Sequence, residues 1–303
     1  MDGTDKVACG HVSGLMRGRH GPQARMGSAD GDLNKSSGSR PFSSPGLPQS
    51  AGATDHAIAL LPSQASRGGS DLRRSRGLLA RRLGRIAPPG TVLDVGAGDG
   101  VLLDALRARG RRAIGLERVS TRPDVHALDL DDLDERFGAI VFWHSLEHLT
   151  APSRALQRAA ELLLPGGVMV IALPNAGSLQ AKVFGDDWLA LDLPRHLVHL
   201  PANALLARLT ELGLQVERVS HLRGGQVVFG WLHGLVSRLP HVPDLYDALR
   251  RPAARQQAVD SRGRTVALAA AVVVFPAAVA LAGLEAALRR GGSLYVEARK
   301  LRP

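Results

Sequence analysis

The sequence predicts an α/β fold, a doubly wound parallel sheet with helices on both faces. Three observations lead there. From residue 91 onward short apolar runs alternate with helical segments, the pattern left by crossover connections between parallel strands. A turn rich in glycine, with Gly96, Gly98 and Gly100, follows directly on the first of these runs. The chain has 303 residues, 45% apolar and 22% charged, a balance that suits a globular protein and excludes a fibrous or wholly disordered one.

Taken in order, residues 1–70 are expected to be a disordered tail, because Gly, Ser and Pro supply 28 of the 70 positions and no helical or strand period is sustained. The folded domain is set at residues 71–303. Leu72, Leu79, Leu83 and Ile86 recur at helical spacing while Arg73, Arg74, Arg76, Arg81, Arg82 and Arg85 fill the other faces, which predicts an amphipathic helix with a solvated arginine face. Pro88, Pro89 and Gly90 end it. Strands are predicted at 91–95, 113–117, 125–128, 139–143, 168–173, 214–219 and 294–298, with helices at 100–109, 152–164 and 202–212.

Composition narrows the function. Cys9 is the single cysteine, so an internal disulfide or a cysteine-rich zinc site is excluded and a cytoplasmic setting is expected. No set of metal ligands is assigned. Residues 1–20 hold no apolar run of the kind a secretory signal needs. The formal charge of +10 favours acidic partners without choosing among lipid, nucleic acid and phosphorylated substrates.

The sharpest signal is the run from Thr91 to Gly100, Thr-Val-Leu-Asp-Val-Gly-Ala-Gly-Asp-Gly. Glycines let the backbone turn tightly and approach a ligand, and the following helix start offers unpaired N–H groups. A dinucleotide site would need a third glycine at the sixth position counted from Gly96, which is Val101, so an NAD-dependent oxidoreductase is the weaker alternative. Asp94 and Asp99 would repel a diphosphate and suit a ligand with a cationic end. Glu117, at the end of the second strand, is placed to accept hydrogen bonds from the vicinal hydroxyls of a ribose.

A nucleoside with a cationic tail is what class I S-adenosylmethionine-dependent methyltransferases bind, and the sequence resembles that family from about Thr91 onward. Asp94-Val-Gly-Ala-Gly-Asp-Gly100 resembles the family's first motif, Glu117 its acid after strand two, and Asp129 in Leu128-Asp-Leu-Asp-Asp-Leu133 its acid after strand three. Phe142-Trp-His-Ser-Leu-Glu-His-Leu149 looks like the fourth motif and Leu164-Pro-Gly-Gly-Val168 like the turn before strand five. Leu191-Asp-Leu-Pro-Arg-His-Leu-Val-His199 is similar to a segment of bacterial quinone-type and small-molecule O-methyltransferases. The resemblance implies a Rossmann-like seven-stranded sheet with its last strand antiparallel, and S-adenosyl-L-methionine as cofactor. It implies a cofactor set of Asp94, Gly96, Ala97, Gly98, Glu117, Asp129, Leu130 and His144. In that set Asp129 meets the adenine amino group, and Gly96 and Gly98 line the methionine portion.

Methyl transfer needs an acceptor held in line and relieved of a proton. Where the acceptor is a hydroxyl, histidine is a suitable base. His144 ends the fourth predicted strand, on the methyl donor's side, and His196 and His199 fall in a polar loop on the acceptor side; these three are the candidate catalytic residues. Glu147 and His148 are read as the start of a helix, with a structural role for His148 left open. The expected reaction is methyl transfer to a small-molecule or lipid-like acceptor, at oxygen. A cofactor-binding but non-catalytic membrane-associated scaffold is the other alternative. Nucleic acid is not expected as a partner, since aromatics make up only 4% of the chain and the position of an Asn-Pro-Pro-Tyr-like tetrad reads Trp143-His-Ser-Leu146.

By the same resemblance the last two strands should form a hairpin, yet residues 220–293 lie between them. This insertion, set at 224–292, is expected to be helical. It carries two apolar segments, 226–239 and 265–284, separated by a link with Arg250, Arg251, Arg255, Arg262 and Arg264. The second is long enough to span a bilayer, but its flanking strands belong to one sheet, which forbids a lone crossing. Two readings stand: contact with an anionic membrane surface at its inner face, or a buried helical cap or dimer face.

Overall fold

The computed structural model describes residues 69–222, 224–250 and 259–302. The expected tail, Cys9 within it, and Arg251 and Arg255 of the link lie outside the described residues. Helix α1 (Gly69–Ile86) precedes strand β1 (Val92–Val95), helix α2 (Val101–Arg107), β2 (Ala113–Leu116), β3 (Val125–His126) and β4 (Phe137–Trp143). Then come α3 (Pro152–Leu162), β5 (Leu163–Pro174), α4 (Leu179–Phe184), α5 (Ala202–Glu211) and β6 (Leu214–Ser220). Helices α6 (Gly224–Val236), α7 (Leu245–Leu249) and α8 (Ser261–Ala287) follow, and β7 (Ser293–Lys300) closes the order.

The seven strands form one sheet in the order β3-β2-β1-β4-β5-β7-β6. Strands β1 to β5 are parallel, and β7 runs antiparallel to both of its neighbours, β5 and β6. This is the Rossmann-like sheet with an antiparallel last strand that the sequence resemblance implies. Successive residues of β1 show why both faces are covered. Val92 packs with Leu79 and Leu83 of α1 and Leu102, Leu103 and Leu106 of α2, whereas Leu93 packs with Leu156 and Ala159 of α3 and Leu205 and Leu209 of α5.

Several elements differ from expectation for identifiable reasons. Strand β3 stops at His126, two residues early, because it is an edge strand with only Val125 and His126 paired to β2. Strand β5 starts at Leu163, which already pairs with Phe137 before the Pro165-Gly166-Gly167 turn; the register then shifts so that Ala139 meets Val168. Glu147 and His148 do not open a helix. They lie in a single 3-10 turn, Leu146–His148, and Glu147 is 3% exposed. The arginine face of α1 is not uniformly solvated either. Arg82 sends Nε and Nη2 to the buried Glu297 carboxylate at 2.9 and 2.7 Å, and Tyr295 donates its hydroxyl to the same group at 2.7 Å. Burial pushes Glu297 up, but the Arg82 and Tyr295 hydrogen bonds outweigh it and hold the carboxyl below its ordinary value.

Helices α6 to α8 leave and rejoin the sheet at one edge, since β6 is parallel to β5 and β7 antiparallel to it. Helices α6 and α8 lie side by side in opposite directions: Ala267 and Ala271 share a core with Val236, and Ala278 and Ala282 share one with Val227 and Trp231. Glycines keep the contact with α4 close. A Cβ added at Gly230 would come within 2.1 Å of Gln180 Oε1, and one at Gly234 within 2.4 Å of the Phe184 ring. A fully buried carboxylate ties the three helices together. Glu285 of α8 accepts from Gln180 N at 2.8 Å, Gln180 Nε2 at 2.9 Å and Trp231 Nε1 at 2.9 Å.

Removing Glu285 leaves Gln180 N and Trp231 Nε1 buried and unpaired, each a loss of about 1–3 kcal/mol, while Gln180 Nε2 keeps Val227 O at 2.8 Å. Glu285→Ala is therefore expected to destabilise the protein by about 3–5 kcal/mol in urea denaturation, with Glu285→Gln costing less. A loss under about 1 kcal/mol for the alanine variant would show that the carboxylate does not hold the insertion.

Candidate functional site

In an open α/β sheet a crevice forms at the carboxyl ends of the strands where the strand order reverses. Here the chain proceeds outward from β1 to β2 and β3 on one side and from β4 to β5 on the other, so the crevice lies over the ends of β1 and β4. The segments that leave those ends, and the ends of β2 and β3, carry the residues singled out from the sequence.

After β1 the backbone turns through Gly96, Gly98 and Gly100, with φ of 82°, 51° and 71°, conformations that side-chain-bearing residues adopt only with strain. The three serve different ends. At Gly96 a Cβ would lie 2.4 Å from Ser145 Cβ, so this glycine lets the turn press against the segment after β4; at Gly98 a Cβ would meet nothing within 4 Å. Gly98 N donates to Glu117 Oε2 at 3.0 Å, which fixes the acid after β2 against the turn. Gly100 is covered by the Arg122 guanidinium, which bonds Asp104 and Asp124. Ala97 fills the space that Gly115 of β2 leaves empty. Asp129 is exposed and begins a 3-10 turn, Leu130–Asp132, while the Leu130 side chain goes into the main core.

Asp94 sits within β1, 3% exposed. Burial raises its pKa to about 7, against the pull of the Arg76 guanidinium and with a further push from Glu117. Arg76 reaches over from α1 and lies 4.4 Å from the centre of the Trp143 ring; burial lowers it to about 10, so it stays charged at neutral pH. The sequence pattern hid this residue, because one inward arginine among six on a helix carries no distinguishing signal.

At the end of β4, His144 has φ of 54°, a strained backbone for a non-glycine residue. Its Nδ1 lies 3.2 Å from Glu147 Oε1. His148 Nδ1 is 2.8 Å from Arg195 O, His196 Nδ1 is 2.8 Å from Ala190 O, and His199 Nε2 is 2.8 Å from Leu191 O. The loop bearing His196 and His199 is stapled to the turn after β4, since Leu197 N and Val198 N donate to Glu147 O at 2.8 and 3.2 Å. His196 and His148 therefore lie with ring centres 4.9 Å apart and planes tilted by 56°, and the His199 ring centre is 6.3 Å from that of His196.

Five buried polar atoms around this crevice have no hydrogen-bond partner among the described residues: Asp94 Oδ1, Arg76 Nη1, His144 Nε2, Ser145 Oγ and Glu147 Oε2. Such orphans are rare in folded proteins, and their gathering leaves donors and acceptors open to a ligand. A family profile described as a methyltransferase domain matches residues 70–219, α1 through nearly all of β6. The chain belongs to the class I S-adenosylmethionine-dependent methyltransferases.

Curated relatives of this methyltransferase include the ubiquinone biosynthesis O-methyltransferase of Alkalilimnicola ehrlichii, 29% identical over 124 residues, 34% of this chain and 50% of that one. The protein of the same name from Xanthomonas campestris is 27% identical over 161 residues, 45% of this chain and 67% of that one. The chain thus spans about half the length of the first and two thirds of the second. A solved S-adenosylmethionine-dependent methyltransferase from Archaeoglobus fulgidus is 20% identical, with 77% of this chain and 98% of that one covered and a TM-score of 0.46.

The residues present fit S-adenosylmethionine. The cofactor carries a sulfonium and an ammonium; the orphaned Asp94 Oδ1 is an unused acceptor for a cationic group, and the open space at Gly98 admits close approach. Only ionised Asp94 pairs with a cation, so affinity should rise as pH climbs through about 7. Calorimetric titration with S-adenosylmethionine at pH 6 and pH 8 is expected to show about tenfold tighter binding at the higher pH, and a weak, flat response in Asp94→Asn. Equal affinity at the two values in the wild-type protein would take Asp94 out of the cofactor site.

Proposed function

We propose that this protein transfers a methyl group to an oxygen of a small-molecule or lipid-like acceptor. The observation that carries the reading is the His144–Glu147 pair at the end of β4, beside the glycine turn. Glu147 holds Nδ1 of the ring, and Nε2 is buried with no partner among the described residues. A ring oriented through one nitrogen with the other free is the arrangement of a general base. His196 and His199 are held in the 192–199 loop through Ala190 O and Leu191 O and shape the acceptor's side, while His144, beside the glycine turn, takes its proton. The names of the curated relatives, O-methyltransferases of ubiquinone biosynthesis, support oxygen as the receiving atom.

When bound, S-adenosylmethionine supplies an electrophilic methyl group. The protein's part is to hold the donor with Asp94, Gly96, Gly98, Glu117 and Asp129, to keep the acceptor oxygen in line, and to receive the hydroxyl proton at His144 Nε2. Labelled methyl transfer into a host cell extract, followed by phase partition, tests the whole reading. Label is expected in the organic phase, absent with Asp94→Ala and reduced about 10²–10⁴-fold in rate with His144→Ala. Label confined to the aqueous phase would exclude a lipid-like acceptor, and full rates in His144→Ala would remove that histidine as base.

The lipid-like part of the reading is supported by α8. Its small-residue stripe Ala267, Ala271, Ala278 and Ala282 faces α6, whereas Val272, Val273 and Phe275 are 74%, 78% and 50% exposed. An 18-residue window of this helix has mean hydropathy 2.4 with 22% of it buried, and Arg289 and Arg290 are exposed just past its end. Such a face suits the inner surface of an anionic membrane, where the acceptor would be met. The protein should float with phosphatidylglycerol-containing liposomes and Val273→Asp/Phe275→Asp should not; failure of the wild-type protein to float removes membrane contact from the proposal.

A further inference from the structure

Three side chains with metal-ligating atoms converge beside the donor turn, a grouping invisible in the sequence because one of them comes from a loop nearly fifty residues away. Glu147 and His148 sit in the 3-10 turn after β4, His196 in the loop stapled to it, and one donor atom from each lies within 4.8 Å of the others.

The hydrogen bonds around the cluster decide what those atoms offer. Arg195 O and Ala190 O are backbone carbonyls, which only accept, so the ring nitrogens 2.8 Å from them, His148 Nδ1 and His196 Nδ1, carry the protons. In the neutral form of each ring the lone pair then sits on Nε2. Outer partners of this kind, a carbonyl gripping the far nitrogen, orient and polarise imidazoles that bind metals. The carboxylate is prepared similarly. Glu147 Oε1 faces His144, while Oε2 is buried with no partner among the described residues, in a side chain 4% exposed. Asp192 does not complete the set as a hydrogen-bond partner: its Oδ2 stands 3.8 Å from His196 Nε2, beyond hydrogen-bond range, and it is bonded to Arg195. Glu147 Oε2 and the Nε2 atoms of the neutral rings are thus acceptors that no hydrogen-bond donor among the described residues meets.

We propose that Glu147, His148 and His196 bind a divalent transition-metal ion next to the methyl-donor crevice. Two imidazoles and one carboxylate without thiolate suit zinc, cobalt or iron better than magnesium or calcium, which prefer all-oxygen sets. Ligand bonds of about 2.0–2.2 Å put donor atoms on one ion roughly 3–4 Å apart, so small side-chain rotations close the cluster. Three protein ligands leave a position open. The acceptor's oxygen would fill it, a step that rests on the methyl-transfer reading; the metal site itself does not.

The test uses the full chain stripped with a chelator and titrated with Co(II), followed by its visible absorption and by calorimetry. A single cobalt band is expected in the wild-type protein and in His126→Ala, whose histidine lies apart in β3. Affinity should fall at least a hundredfold in His148→Ala and His196→Ala and markedly in the near-isosteric Glu147→Gln. S-adenosylmethionine binding, measured on the same samples, verifies that each variant is folded. Cobalt affinity unchanged in folded variants at all three positions, or no cobalt band in the wild-type protein, overturns the site. Cobalt binding of the expected pattern in a protein that transfers no methyl group would leave the metal site standing and overturn the proposed reaction. Methyl transfer unaffected by chelation, with no cobalt bound, would do the opposite.

Discussion

The reversal of strand order between β1 and β4 is the constraint on which the rest depends. Two parallel strands whose chains leave toward opposite sides of the sheet cannot have their carboxyl ends covered by either crossover. The glycine turn, Glu117, Asp129 and His144 follow directly on those uncovered ends or on the ends of β2 and β3. The reversal also explains why glycine is needed at 96: the turn after β1 and the segment after β4 leave adjacent strands and run so close that only a hydrogen fits between Gly96 and Ser145. The turn after β1 and the segment after β4 are thus parts of one packed unit.

Buried charge is used differently in the two halves of the chain. In the sheet, Glu297 is matched by an arginine and a tyrosine and needs nothing more. In the insertion, Glu285 is met by a backbone amide, a side-chain amide and an indole N–H, so that α4, α6 and α8 are pinned by one carboxylate. Around the crevice the matching is incomplete: Asp94, His144, Ser145 and Glu147 each keep a buried polar atom without a partner among the described residues. A fully satisfied network rigidifies a core; the unpaired atoms of the crevice have counterparts in the insertion, at His233 Nδ1 and Arg264 Nε.

Much of this was legible in the sequence. The alternation of apolar runs with helices pointed to the doubly wound sheet, and the glycine turn was placed between Asp94 and Glu117, because local spacing dictates strands, turns and their order. What spacing does not carry is which way a side chain faces. Arg76 was one arginine of a basic helix until packing turned it over Trp143. Glu147 read as a helix-start acid because its neighbours are equally compatible with a helix, and only the closure of the 192–199 loop against it shows that it is buried. Short elements such as α4 and α7 escaped for the same reason: five or six residues have too few turns to show a period, and tertiary contacts define them.

The insertion departs from the end of β6 and returns at the start of β7, two strands that pair directly, with Ser220 beside Tyr295. Its two points of attachment are neighbours on one rim of the sheet, and the family match stops at Val219, just before it. A segment hung in this way is free to be lengthened, shortened or exchanged over evolutionary time without rethreading a single strand. The part of the molecule beyond the family match can therefore diversify while the sheet that carries the glycine turn stays fixed.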